Sequence, residues 1–335
     1  MARYLPRELI EDTFWVRLPP PARSMILFGL LFAFAALLGI AGSDGTSASA
    51  TFVTSVPWTI WRVVAGAALV VFVVLTIQAI RVLQHPANWG MYPSRERSWR
   101  YLISAAVGAA AVTAYRLLFP EVSPDLPIQG LHLRTGIVLV TGLLASIPWL
   151  TIVWLAHAEC HDLGKDSYRR SGDAFRTLMD ESNGDPAHLR PAVERLLRLW
   201  QLLVLCVGAF TVGVVAAVAT SGALRGAFVA AHPDRAGEFP PSNVLLYGGM
   251  FALGLAVIAV PMALAWRTRA EELLDHACPL PEDGRPTEEW MEERHRIEHL
   301  LHLDISILRN PLTILSVIAP LLISALAAFL PQLAG

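Results

Sequence analysis

The residues best equipped for chemistry stand where an apolar run gives way to a polar one, in Trp154-Leu155-Ala156-His157-Ala158-Glu159-Cys160-His161-Asp162. His157 and His161 are four positions apart, so on a helix they share a face, and Cys160 lies one position off. Imidazole, thiolate and carboxylate are all zinc ligands. His276 and Cys278 follow a later apolar run at a comparable distance. A zinc site joining the two halves, His157, Cys160 and His161 with His276 and Cys278, is geometrically possible. It defines one expectation, a metal-dependent enzyme at a membrane interface. Neither half has a recognised ligand spacing, however. His157-Ala-Glu159 matches the first half of the zinc-deaminase signature, but no PCxxC follows. HExxH, GxSxG and a P-loop are absent too. Interfacial polar residues with no cofactor are the simpler reading, because histidines at a helix end suit the dipole and the headgroup region.

A second group is His295, His299 and His302, at i, i+4 and i+7. That spacing predicts one polar face of an amphipathic helix. Histidine titrates near pH 6.5 when unperturbed, so these three are pH-sensing candidates as well as a plain solvated face.

The elements that must position these groups are set by composition. The chain has 335 residues, 54% of them hydrophobic and 16% charged. A soluble domain carries about 25% charged residues, and fewer leave too little polar surface to meet water. A polytopic membrane protein, with lipid as its solvent, fits. The three cysteines, Cys160, Cys206 and Cys278, form no CxxC and no disulfide framework.

Seven apolar runs follow one another, at about 25–41, 60–83, 101–119, 136–156, 199–220, 244–266 and 312–330. Each approaches the roughly 20 residues a helix needs to cross hydrocarbon. Residues 1–24 read as a cytoplasmic, interfacial amphipathic segment, closed by Pro19-Pro20-Pro21. Residues 25–335 then form one polytopic helical domain, with cytoplasmic helical segments at 157–198 and 267–310. Gly42–Thr51 reads as a flexible loop. Within 267–310, Thr287-Glu288-Glu289-Trp290 opens a helix with acids in its first turn, and Asn310-Pro311 closes it.

Counting Lys and Arg on alternate sides gives 21 and 5. The positive-inside rule then places the N-terminus in the cytoplasm and the C-terminus outside. Plentiful Ala, Arg and Gly with a single lysine, Lys165, point to a bacterial inner membrane. The segment 267–310 holds eleven carboxylates against six arginines, so nucleic acid is not an expected partner. The lipid bilayer and a cytoplasmic protein are.

Inside the runs no Asp, Glu or Lys occurs, which argues against ion-coupled transport. Pro148, Pro261 and Pro320 fall mid-run and are hinge candidates. Small residues at four-residue spacing, Ser104/Gly108 and Gly248/Ala252/Ala256, predict close helix contacts. The expected function is that of a non-enzymatic signalling or effector component whose cytoplasmic helices bind a protein partner. A channel or facilitator for a small solute or ion, lined by Thr113, Tyr115, Thr141, Ser146, Thr211 and Ser316, is the alternative, and the metal-dependent enzyme is the second alternative.

Overall fold

A computed structural model of the chain describes residues 47–85, 89, 94–118, 126–128, 130–171, 190–281, 284–303, 319 and 321–326. In order these form α1 (Ser47–Val53), α2 (Val56–Gln84), α3 (Ser94–Leu118), α4 (Leu131–Ser171), α5 (Arg190–Ala231), a 3-10 turn (Pro233–Glu238), α6 (Pro241–Ala277) and α7 (Glu288–Leu300). No strand occurs among the described residues. Among the described residues four helices, α2, α4, α5 and α6, are long and apolar enough to cross a membrane. α3, which holds residues 101–118 of the third run, is not among them; its first turns carry Arg95, Glu96, Arg97 and Arg100.

These four pack as a bundle, with α5 against α2, α4 and α6, and α3 laid on the outside of α4. Two apolar clusters fill the bundle. One joins Trp58, Trp61 and Phe72 of α2 to Leu131 and Val138 of α4 and Phe228 of α5. The other joins Ala79, Trp149, Leu155, Cys160, Leu199, Met262 and Trp266. The pairing of helix starts with helix ends makes α5 antiparallel to α2, α4 and α6. Below, the two ends of the bundle are called the Trp58 end and the Trp266 end. Outward faces stay apolar, with Val63, Leu133, Leu253 and Val257 each at least 65% exposed. Such a stripe is costly in water and suits lipid.

Close approach follows the small residues. Ser104 and Gly108 face α4, where a Cβ on Gly108 would meet Leu143 Cδ1 at 3.0 Å. Gly142 does the same for α2, with Phe72 Cζ 3.1 Å from its would-be Cβ. Of Gly248, Ala252 and Ala256, the first two are buried and the third is partly exposed.

Several boundaries differ from expectation. Residues 47–53 are helical where a flexible loop is expected, and Phe52 is buried against Trp58. α4 runs without a break from the apolar run through Ala156 into the segment expected to be helical beyond it, as far as Ser171. α7 opens as expected, on Thr287, but ends at Leu300 rather than at Asn310. Pro148 and Pro261 lie inside continuous helices, the first buried and the second exposed. The runs 25–41 and most of 312–330, the segment 1–24, and Pro320 lie outside the described residues. The described part of the last run, 321–326, is helical, and Ile323 packs near Val244 at the Trp58 end.

Candidate functional site

The Trp266 end gathers the residues of the opening stretch. His157 and His161 do share a face, and it is the exposed one. Cys160, three residues after His157, turns to the packed side and is wholly buried. Beside it Glu159 turns inward, 6% exposed, and accepts a hydrogen bond from Arg195 Nε of α5 at 2.5 Å. Arg269 of α6 donates to the backbone carbonyl of Cys160 at 3.1 Å and pairs with Glu272. The stretch therefore clamps three helices. Sequence reading missed this pair. The available signal was that Glu159 stands three residues after the apolar Ala156 and one turn before Leu163, on the inward face.

His276 is exposed, with Nδ1 2.7 Å from the carbonyl of Glu272. Cys278 caps α6, its N–H on the carbonyl of Leu274 at 2.9 Å. Burial, and then the neighbouring Glu293 carboxylate, push its thiol above the ordinary range. Cys278 thus answers to α7, whereas Cys160 belongs to the bundle core. Among the described residues no three His, Cys, Asp or Glu side chains gather closely enough to hold a metal ion.

α7 is fastened at both ends. Thr287 Oγ1 accepts from the N–H of Trp290 at 3.2 Å, satisfying a first-turn donor, and Glu288 and Glu289 suit the helix dipole. The indole of Trp290 donates to the carbonyl of Pro279 at 3.0 Å. Arg294 bonds Asp275 of α6 at 2.9 Å and lies over the Trp290 ring. These contacts are solvent-exposed and each is weak.

The C-terminal fastening is apolar. Leu301 is fully buried in the core cluster of the bundle. His302 then turns left-handed at φ 55. Its N–H bonds the carbonyl of His299 and that of Leu303 bonds Glu298, the paired bonds of a Schellman cap. Glycine ordinarily holds this place; here the His302 ring lies against Trp200 instead. Trp200 packs on Trp266, whose indole donates to the carbonyl of Leu196 at 2.9 Å in the bundle interior.

The expected histidine face is corrected accordingly. His295 and His299 are exposed on α7, His295 lying 3.7 Å from Glu298. His302 leaves the helix and faces the bundle, because the chain reverses there to bury Leu301. The hydroxyls expected to line a path turn back on their own helices. Thr113, Thr141 and Thr211 each bond the carbonyl four residues earlier, and Ser146 the one three earlier. Tyr115 and Ser316 lie outside what is described of side chains.

No protein-family model, characterised protein or solved structure matches the chain.

Proposed function

We propose that the chain is a non-enzymatic multi-pass protein of a bacterial cytoplasmic membrane, in which α7 receives a cytoplasmic protein partner and passes its binding to the bundle. In this reading seven helices span the bilayer, the Trp266 end faces the cytoplasm, and the C-terminus lies outside. The placement of Arg81, Arg97, Arg195, Arg267, Arg269 and Arg294 toward that end supports it.

One observation carries the reading. α7 shows solvent an acidic and histidine-bearing face, yet its end plugs the bundle through Leu301, which is fully buried. Met291 and Leu300 remain about half exposed on it, at 50% and 49%. A partner that covers α7 therefore has a mechanical connection to Trp200 and Trp266. The weak ties of α7 allow it to be moved, and the apolar plug makes the movement felt. Quantitative capture of a soluble partner by the full chain in lipid nanodiscs, weakened by Glu292→Arg and by Met291→Asp, tests this. Capture unaffected by either change, or no partner at all, contradicts it.

A further inference from the structure

The Trp58 end carries a different feature, independent of α7. Ser55, Trp58 and Trp61 stand at i, i+3 and i+6, on one face of the first turns of α2. Trp58 is 0% exposed and Trp61 1%. Their rings stack 4.7 Å apart at 17°. The Oγ of Ser55 and the Nε1 of both indoles are buried and have no hydrogen-bond partner. Ser55 is the N-cap residue of α2, but its side chain makes no capping bond.

Buried indole N–H groups ordinarily find an acceptor, and leaving one unmet is unfavourable. In the other buried tryptophans among the described residues they do. Trp149 donates to Leu75, Trp266 to Leu196, and Trp89 to Val82 at the end of α2. The pair at 58 and 61 is therefore an exception within one molecule. It coincides with a helix N-terminus at which the Ser55 N–H already bonds the carbonyl of Phe52 and Pro57 has no N–H, so the N–H groups of Val56 and Trp58 are those without a partner in the helix. α4 starts at the same end, and neither helix has an acidic residue in its first turn. Arg62 adds positive charge one residue beyond Trp61.

We infer that this end of α2 binds a phosphate or phosphodiester group, held by Ser55, Trp58 and Trp61. The chemistry selects for it. The indoles only donate, and the helix end carries partial positive charge, so the complement is an anion rich in acceptors. The surrounding Phe52, Leu126, Ile128 and Phe228 form an apolar wall that suits acyl chains beside such a group. A lipid headgroup and free phosphate present the same chemistry.

The test uses the full chain, delipidated in dodecyl maltoside and labelled with nitrogen-15 at the indoles. Trp58→Phe and Trp61→Phe assign the two signals. Each sample is titrated with inorganic phosphate, with short-chain phosphatidylglycerol, and with the matching diacylglycerol. The expected result is a saturable downfield shift of both indole protons with phosphatidylglycerol and none with diacylglycerol. A shift with inorganic phosphate as well identifies the anion alone as sufficient; its absence identifies a lipid. Removing one donor weakens binding about tenfold, the scale of one charge-assisted hydrogen bond. Ser55→Ala reads this without touching the aromatic pair, should the tryptophan variants fail to fold. No shift with either phosphate source, an equal shift with diacylglycerol, or unchanged affinity in Ser55→Ala overturns the proposal.

Discussion

The imidazole of His302 lies 5.8 Å from the indole of Trp200, in the residue that ends α7's cap in a left-handed conformation. The contact explains why a non-glycine residue holds that place. A left-handed conformation costs a residue with a Cβ about 1 kcal/mol, and ring packing returns a similar amount. His302→Gly should therefore change stability by less than about 1 kcal/mol, since it relieves the backbone while losing the ring. His302→Val should cost at least about 2 kcal/mol, because a β-branched residue keeps the strain without the contact. Thermal unfolding of both variants in detergent checks the pair.

Leu301 is the plug, and its truncation should be felt in α7 first. Leu301→Ala leaves a cavity worth about 2–5 kcal/mol at a fully buried site. That exceeds what the exposed contacts of Arg294 and Trp290 supply. Hydrogen exchange of Glu288–Leu300 should rise at least tenfold in the variant, with exchange in the interiors of α2 and α5 unchanged.

Cys278 reports the same event chemically. It is 3% exposed, and its thiol is held above the ordinary range by burial and by Glu293. A raised value means less thiolate at neutral pH, so alkylation should be slow and should quicken as pH rises. Freeing α7 by Leu301→Ala removes both causes. Maleimide labelling of Cys278 at pH 7 should then accelerate tenfold or more, while Cys160 and Cys206 stay protected in the bundle. Peptide mapping of the labelled protein separates the three.

Glu159 and Arg195 join α4 to α5 across a largely buried contact of 2.5 Å. Removing one partner strands the other charge. Arg195 is 22% exposed, so water relieves part of the penalty. Arg195→Met should cost about 2 kcal/mol, and Glu159→Gln with Arg195→Met together should cost less than the two singles summed. A double-mutant cycle on thermal stability measures the coupling.

Much of this arrangement is legible in sequence because local rules decide it. Thr287 followed by two glutamates announces the start of α7, and the small residues around Gly108 announce a tight α3–α4 contact. The end of α7 is not legible, since a Schellman cap on histidine has no sequence mark. It exists because Leu301 finds a core built by residues a hundred positions away. The same holds for Glu159 and Arg195, whose meeting depends on how α4 and α5 align. The spacing of Ser55, Trp58 and Trp61 is visible in the sequence, but their missing partners emerge only once the helices are packed. The metal reading joined His157, Cys160 and His161 to His276 and Cys278; in the fold the three histidines are exposed, Cys160 lies in the bundle core and Cys278 lies beside α7, and that separation depends on how the helices pack.

The central claim is that α7 receives a protein on its outward face while plugged into the bundle. A photo-cross-linking residue at Glu292, in the full chain within its native membranes, tests it most directly, with the same residue at Leu253 on the exposed face of α6 as reference. The account predicts one discrete protein adduct at position 292, absent at 253 and lost when Met291 is changed to Asp. No protein adduct at 292, or the same adducts at both positions, would contradict it.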